Sequence, residues 1–268
     1  MLKPISHLLH SFLLLVLIGT FTSIVYYIRN EPHVSAAPAL IVPSIIVTPT
    51  PVPTVSDTVE SIPEVGWSLI QPGLERRVMD IYNEHNQLVE SLHIWRLDQT
   101  SFRLDVAYDS SPKTLDAWQS KTNAAMVING GYYSIANEKY FPDGLTIVNG
   151  QASGRSFNRS GGMLAILDDR AELRWLAQEP YNPSESLRAA LQSFPVLVQP
   201  GGQLGYGADK ESHAQARRTV IAQDRAGRIL LMVAPQGHFT LHQLSLYLTQ
   251  SDLNLDIAIN LDGGGSTG

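Results

Sequence analysis

Asn260-Leu261-Asp262-Gly263-Gly264-Gly265-Ser266-Thr267-Gly268 sets an acid, three glycines and two hydroxyls directly after the apolar run Ile257 to Leu261. Consecutive glycines accept positive φ and bring bare N–H groups up to a ligand, and such a nest suits an anion, most of all a phosphate. The plain alternative is a flexible turn after a buried strand, and the flanking Asp262 and Ser266 favour a site over it. A second glycine-rich element, Asn129-Gly130-Gly131, follows the short apolar run Ala124 to Ile128. If the two strands are neighbours, Asn129, Gly130, Gly131, Asn260, Asp262, Gly263, Gly264, Gly265, Ser266 and Thr267 converge on one pocket at the carboxyl ends of strands, where ligands of open sheets bind.

An anion site needs a cation. Arg217 and Arg218 stand at the entry to a hairpin strand, and a guanidinium offers bidentate contacts to phosphate while staying ionised. The competing role for such a pair is a solvated strand edge. Hydrolysis at a sugar carbon needs a carboxyl to protonate the leaving group and often a second as base or nucleophile. Asp262 leads the candidates, followed by Asp143 and Glu211; Pro142-Asp143-Gly144 is also an ordinary turn sequence. A phosphate departs readily, so one carboxyl with anion stabilisation can suffice. His238 and His242 have i, i+4 spacing, but the glutamate of a zinc hydrolase motif is missing, so no metal and no cofactor are expected. His238, in a loop after Gly237, is a candidate pocket residue instead. His213 and Tyr206, between Gly201 and Gln215, either cover the site or belong to a plain surface loop. Neither a Gly-x-x-x-x-Gly-Lys loop nor a Gly-x-Ser-x-Gly elbow is present.

The elements that must position these groups are mostly strands. Phe102, Leu104, Val106 and Tyr108 alternate with polar or small residues, with Leu92 to Leu97 as the expected hairpin partner. Further strands are expected over Leu145 to Val148, Met163 to Leu167, Glu172 to Leu176 and Val196 to Val198. Arg218 to Gln223 and Ile229 to Ala234 form the clearest hairpin. Helices are expected over Pro112 to Lys121, over Ser184 to Leu191, and after Thr240, where Gln243 completes a capping box. The pattern gives an α+β class: a single mixed, strand-rich domain over residues 66–268, with a β-sheet flanked by a few helices.

The 268 residues are 44% hydrophobic, enough for one sizeable core. A net charge of -6 argues against nucleic acid as a partner, which would require basic surface. Without cysteine there are no disulfides, thiolate metal sites or cysteine nucleophiles. Leu8 to Ile28 is uncharged and long enough to cross a bilayer, so residues 1–30 are expected to form an N-terminal transmembrane signal anchor. Cleavage after Ala36, with secretion, is the alternative. Residues 31–65 are rich in proline and threonine and are expected to form an extracytoplasmic linker between membrane and domain.

Several ordered blocks resemble the phosphodiester glycosidase family. They are Ile128-Asn129-Gly130-Gly131-Tyr132-Tyr133, Asp143-Gly144-Leu145 to Asn149-Gly150, Phe194-Pro195-Val196-Leu197-Val198, Arg217-Arg218-Thr219-Val220-Ile221-Ala222, the helix from Thr240, and Ile259 to Thr267. Together they span about residues 90–268. The resemblance implies a hydrolase that cleaves the glycosidic bond of a sugar α-linked through a phosphodiester, N-acetylglucosamine-1-phosphodiesters among them, leaving a phosphomonoester. It implies a pocket of Asn129, Arg218, Asn260, Asp262 and Gly263 to Gly265, with Ser266 and Thr267 completing the anion nest. Tyr132 and Tyr133 stand where phenylalanines are frequent in the family. Relatives continue past the glycine run, so the sequence is expected to be a fragment. Two other functions fit the same residues: a non-catalytic module that binds glycans or phosphoglycans, and a different hydrolase with Ser266 as nucleophile.

Overall fold

Strand follows strand along this chain because its apolar runs are short, rich in β-branched residues, and closed by Gly, Asn, Asp or Pro. The computed structural model describes residues 43–50, 65–157 and 161–268, all within the unit Pro38–Gly268. In chain order come β1 (Ser44–Pro49), β2 (Ser68–Gln71), β3 (Leu74–Tyr82), β4 (Leu88–Leu97), β5 (Phe102–Ala107), α1 (Leu115–Thr122), β6 (Met126–Asn129), β7 (Tyr133–Ala136), β8 (Lys139–Pro142) and β9 (Thr146–Val148). There follow β10 (Gln151–Ser153), β11 (Gly162–Ile166), β12 (Ala171–Trp175), β13 (Ala189–Ser193), β14 (Val196–Gln199), β15 (Gln203–Leu204), β16 (Arg218–Asp224), β17 (Ile229–Ala234), α2 (Leu241–Gln250) and β18 (Leu255–Asn260). The uncharged run Leu8 to Ile28, the cleavage position after Ala36 and most of the 31–65 linker lie outside the described residues. Among the described residues no helix is long and apolar enough to cross a membrane.

The strand-rich α+β class holds, but among the described residues the expected one sheet is four, and their paired strands run antiparallel. The largest has eight strands in the order β15-β14-β18-β16-β17-β4-β3-β2, beside sheets of order β10-β9-β13-β11-β12, β5-β1-β6 and β7-β8. Its central strands are apolar at both parities because both faces are covered. Ile221, Leu231, Ile257 and Ile259 pack with Leu104, Ile128, Leu164 and Leu191 from the two neighbouring sheets. Val220, Leu230, Met232 and Ala258 face the other way, against Leu244 and Leu248 of α2. The capping box of α2 is present: the Thr240 hydroxyl accepts from the Gln243 N–H, and the Gln243 side chain accepts from the Thr240 N–H.

Three sequence expectations are corrected. Residues 44–49, assigned to the linker, form the buried middle strand of the β5-β1-β6 sheet, with Ser44 opposite Asn129. Their Ser-Ile-Ile-Val-Thr run is a strand sequence; Pro49 ends it, beyond the stretch paired with β6. Leu92 to Leu97 does not pair with Phe102 to Ala107. The turn anchored by Asp98, whose carboxylate accepts from the Thr100 N–H at 2.8 Å, carries the chain from one sheet to another. No helix forms over Ser184 to Leu191: the Asn182 side chain accepts from the Ser184 N–H at 3.0 Å to make a turn, and Ala189 enters the fully buried β13.

Candidate functional site

Asn129 and Asn260 end β6 and β18, which lie in different sheets, so the two glycine-rich elements meet end to end rather than as neighbouring strands. Backbone bonding joins them: the Asp262 N–H donates to the Gly130 carbonyl at 2.9 Å. Asn129, 1% exposed, completes the joint. Its amide donates to the Asp262 carbonyl at 2.8 Å, and its oxygen accepts from the Thr219 hydroxyl at 2.8 Å and the Gly268 N–H at 3.1 Å. Asn129 was expected to be catalytic. Its side chain is instead fully engaged by protein groups, which makes it a positioning residue. Removing it in Asn129→Ala leaves several buried groups unpaired, and a loss of about 3 kcal/mol is expected from the denaturant midpoint.

Gly130 and Gly131 are needed for close packing. A Cβ on Gly130 would lie 2.5 Å from the Pro43 carbonyl oxygen, and one on Gly131 would lie 2.8 Å from that of Gln192. The expected anion nest is also corrected. The Gly263 N–H donates to the Asp262 carboxylate at 2.9 Å, that of Gly264 to the Arg217 carbonyl at 2.9 Å, and that of Ser266 to the Gly263 carbonyl at 3.2 Å. Gly264, at φ 60°, supplies the left-handed step that makes this turn. Three N–H groups of the run thus build the turn that presents Asp262. The Ser266 side chain lies close enough to the same carboxyl to hold its pKa down, so it serves Asp262. Thr267 is buried, and its hydroxyl oxygen has no hydrogen-bond partner among the described residues.

Around Asp262 the charges are arranged for chemistry. Burial raises its pKa; hydrogen bonds from Ser266 and Gly263 oppose that shift, and the negative charge of Asp143 adds to it. Asp143 is exposed, and its N–H donates to the Tyr132 carbonyl at 2.9 Å, so both acids hang from the segment Asn129 to Tyr132. The Tyr132 hydroxyl accepts from the Asn260 amide at 2.8 Å, which leaves its proton available to a ligand. Burial and Asp262 push the Tyr132 pKa up to about 12, against the pull of Arg218, so the phenol stays protonated. Asn260, 0% exposed, also donates to the carbonyls of Phe194 and Leu261, while its own oxygen has no partner among the described residues.

Arg218 opens β16 and is 8% exposed, whereas Arg217 is exposed; the inward guanidinium is therefore that of Arg218. Its Nε donates to the Phe239 carbonyl at 3.2 Å and its Nη2 to the Ala214 carbonyl at 2.7 Å. Among the described residues no carboxylate forms an ion pair with it. Burial lowers its pKa, offset by Tyr132, Glu211 and Tyr206, yet an arginine remains ionised near neutrality. The loop from Tyr206 to Ala214 thus does reach the site. Glu211 anchors it, accepting from the N–H groups of His242 and His213 at 2.9 Å each. Burial opposes ionisation of Glu211, but bonds from Thr240, His242, His213 and Ser212 prevail and lower its pKa.

The His238 N–H donates to the buried Glu90 at 3.1 Å, and its ring meets edge-on that of Phe239, the residue whose carbonyl holds Arg218. The His242 ring is bonded to the Tyr206 carbonyl at 2.9 Å. Among the described residues no group of three or more His, Asp or Glu is placed to hold a metal ion. The element hardest to find from sequence is the Tyr132 hydroxyl. Its only signal was a tyrosine where the related blocks often carry phenylalanine.

Residues 122–268 match the family model described as phosphodiester glycosidase, more than half of the chain. The chain belongs to the phosphodiester glycosidase family. The family is one of hydrolases, and the glycosidase domain carries all of the site just described except Pro43 and Glu90. Its fold is shared with the catalytic domain of zebrafish N-acetylglucosamine-1-phosphodiester α-N-acetylglucosaminidase. That match has a TM-score of 0.51 and 17% identity, covering 84% of this chain and 77% of that one. A hypothetical protein from Synechocystis is similar too, with a TM-score of 0.50 and 13% identity over 77% of this chain and 59% of the other. A comparison with curated proteins finds no match.

Proposed function

We propose that this phosphodiester glycosidase hydrolyses the bond between an anomeric carbon and the oxygen of a phosphodiester, with N-acetylglucosamine-1-phosphodiesters as the model substrates. Buried Arg218 carries the proposal: it is an ionised guanidinium held by two backbone carbonyls and, among the described residues, no carboxylate, within the electrostatic reach of Tyr132. A buried cation without a counter-ion is costly unless a ligand supplies the anion. A phosphodiester does so.

In this scheme Arg218 takes the phosphoryl charge, and the Tyr132 hydroxyl donates to a phosphoryl oxygen. Asp262, protonated more readily than an ordinary carboxyl, gives its proton to the bridging oxygen as the C1–O bond breaks. Water adds to the anomeric carbon, and its proton leaves through Asp143. The products are a free sugar and a phosphomonoester. Hydrolysis in ¹⁸O-labelled water tests the bond assignment: label in the sugar fits, whereas label in the phosphate means that a P–O bond was cut and the reading is wrong.

An acid that must be protonated gives a rate that falls as pH rises through its raised pKa. Asp143→Asn removes a like charge, which lowers the pKa of Asp262, so the alkaline limb of the kcat profile is expected to move to lower pH. An unmoved limb would separate the two acids.

The apolar run from Leu8 to Ile28 supports an exported, membrane-tethered enzyme, with residues 66–268 outside the cytoplasm acting on envelope or extracellular glycans. Protease accessibility of the full chain in intact cells tests that placement. A chain degraded only after lysis would place the domain inside.

A further inference from the structure

Beside the acid and the arginine lies a surface that neither uses. Phe194 is 41% exposed, an unusual state for a phenylalanine whose ring is held by two others. Tyr132 lies against it with ring centroids 4.6 Å apart at 31°, and Phe157 meets it edge-on at 5.1 Å and 88°. Phe157 is itself fixed. Its N–H donates to the buried Gln192 side chain at 2.8 Å, and Gly144 leaves room for its ring, since a Cβ there would come within 2.6 Å of it. The Phe194 carbonyl accepts from Asn260, the residue that also holds the Tyr132 hydroxyl. The exposed ring is therefore preorganised and continuous with the reacting centre.

Resting on the function proposed above, we infer that Phe194, braced by Tyr132 and Phe157, is the platform on which the pyranose ring of the substrate stacks. A pyranose is polar at its rim but presents C–H groups on its faces. Such a face suits a flat aromatic ring, whose electron-rich surface attracts the slightly positive hydrogens. The Tyr132 hydroxyl and the Tyr132 ring belong to one side chain. A sugar lying on Phe194 thus has its anomeric oxygen directed toward the phenol and Asp262, and its phosphate toward Arg218. Phe194 then selects for a cyclic sugar as the group transferred to water, over an acyclic alkyl ester of the same phosphate.

The test is steady-state kinetics on an N-acetylglucosamine-1-phosphodiester, with inorganic phosphate as a competing ligand. Phe194→Ala is expected to raise KM about thirtyfold while kcat changes little, from lost stacking and lost apolar contact. Phe194→Trp restores KM, Phe194→Leu does not, and inhibition by phosphate stays as in the wild type, which reports an intact fold and Arg218 site. An unchanged KM in an active Phe194→Ala enzyme overturns the platform but not the proposed function. If the wild type releases no sugar, the function is overturned. The platform is then judged by saturation-transfer NMR with N-acetylglucosamine: transfer lost in Phe194→Ala upholds it, and equal transfer in both proteins overturns it.

Discussion

Asp262→Asn is expected to lower kcat on a sugar phosphodiester about 10³-fold, within the span by which a positioned proton donor accelerates such a step. The substitution is nearly isosteric, and the remaining carbonyl oxygen can still accept from the Gly263 N–H and the Ser266 hydroxyl. The backbone of residue 262 stays tied to Gly130 and Asn129 through bonds that do not involve its side chain. Thermal stability should therefore hold or rise slightly, because a half-buried carboxyl disfavoured in its charged form is replaced by a neutral amide. KM should change little, since the proposed phosphate contacts are made by Arg218 and Tyr132. A rate equal to the wild type would remove Asp262 from the mechanism. An equal fall in Ser266→Ala would mean that orientation of the carboxyl, not its proton, is what the rate senses.

How far this site was legible in the sequence depends on which physical link made it. The Arg218 strand and the Ile229 hairpin were legible because a doubly buried pair of apolar runs across a short turn has few other arrangements. Thr240 and Gln243 announced α2 through local capping chemistry. Asp262 was legible from its place between a buried strand and three glycines. The purpose of those glycines was not, because a bare N–H looks the same in sequence whether it faces an anion or the Arg217 carbonyl. Asn129 was found for its position and misjudged in its role; only the placement of Thr219 and Gly268 around it shows that its bonds are spent.

The linker hid part of the site for a different reason. Prolines on both sides of Ser44 to Thr48 outweighed a five-residue strand signal, although Pro43 does not interrupt the ladder and Pro49 only ends it. The consequence reaches the chemistry, since the Gly130 N–H donates to the Pro43 carbonyl at 2.7 Å. A segment expected only to carry the domain away from a membrane thus braces the turn from which Asp262 and Tyr132 are hung. Sheet partnership was likewise invisible: period-two alternation says which face of β5 is buried, but not that β1, far upstream, would be its neighbour.

Arg218→Met separates a functional guanidinium from a structural one. If Arg218 is there for the fold, its loss costs stability, as breaking a buried ion pair does. Among the described residues, however, it has no carboxylate to leave behind. The variant gives up two hydrogen bonds to carbonyls and is relieved of a buried charge, terms of opposite sign that each amount to a few kcal/mol. Stability is therefore expected to change by no more than about 1 kcal/mol, as read from the denaturant midpoint. Activity should change far more: kcat/KM for a sugar phosphodiester is expected to fall about 10² to 10³-fold, the scale for removing a preorganised anion stabiliser. Inhibition by inorganic phosphate should weaken in parallel. Arg218→Lys keeps the charge but not the fork that holds Ala214 and Phe239 while facing the ligand, so it should recover only part of the loss. A variant that is strongly destabilised yet still binds phosphate as the wild type does would make Arg218 a structural residue. The phosphate would then have to be held by exposed Arg217, and the rate would depend on salt as a surface contact does.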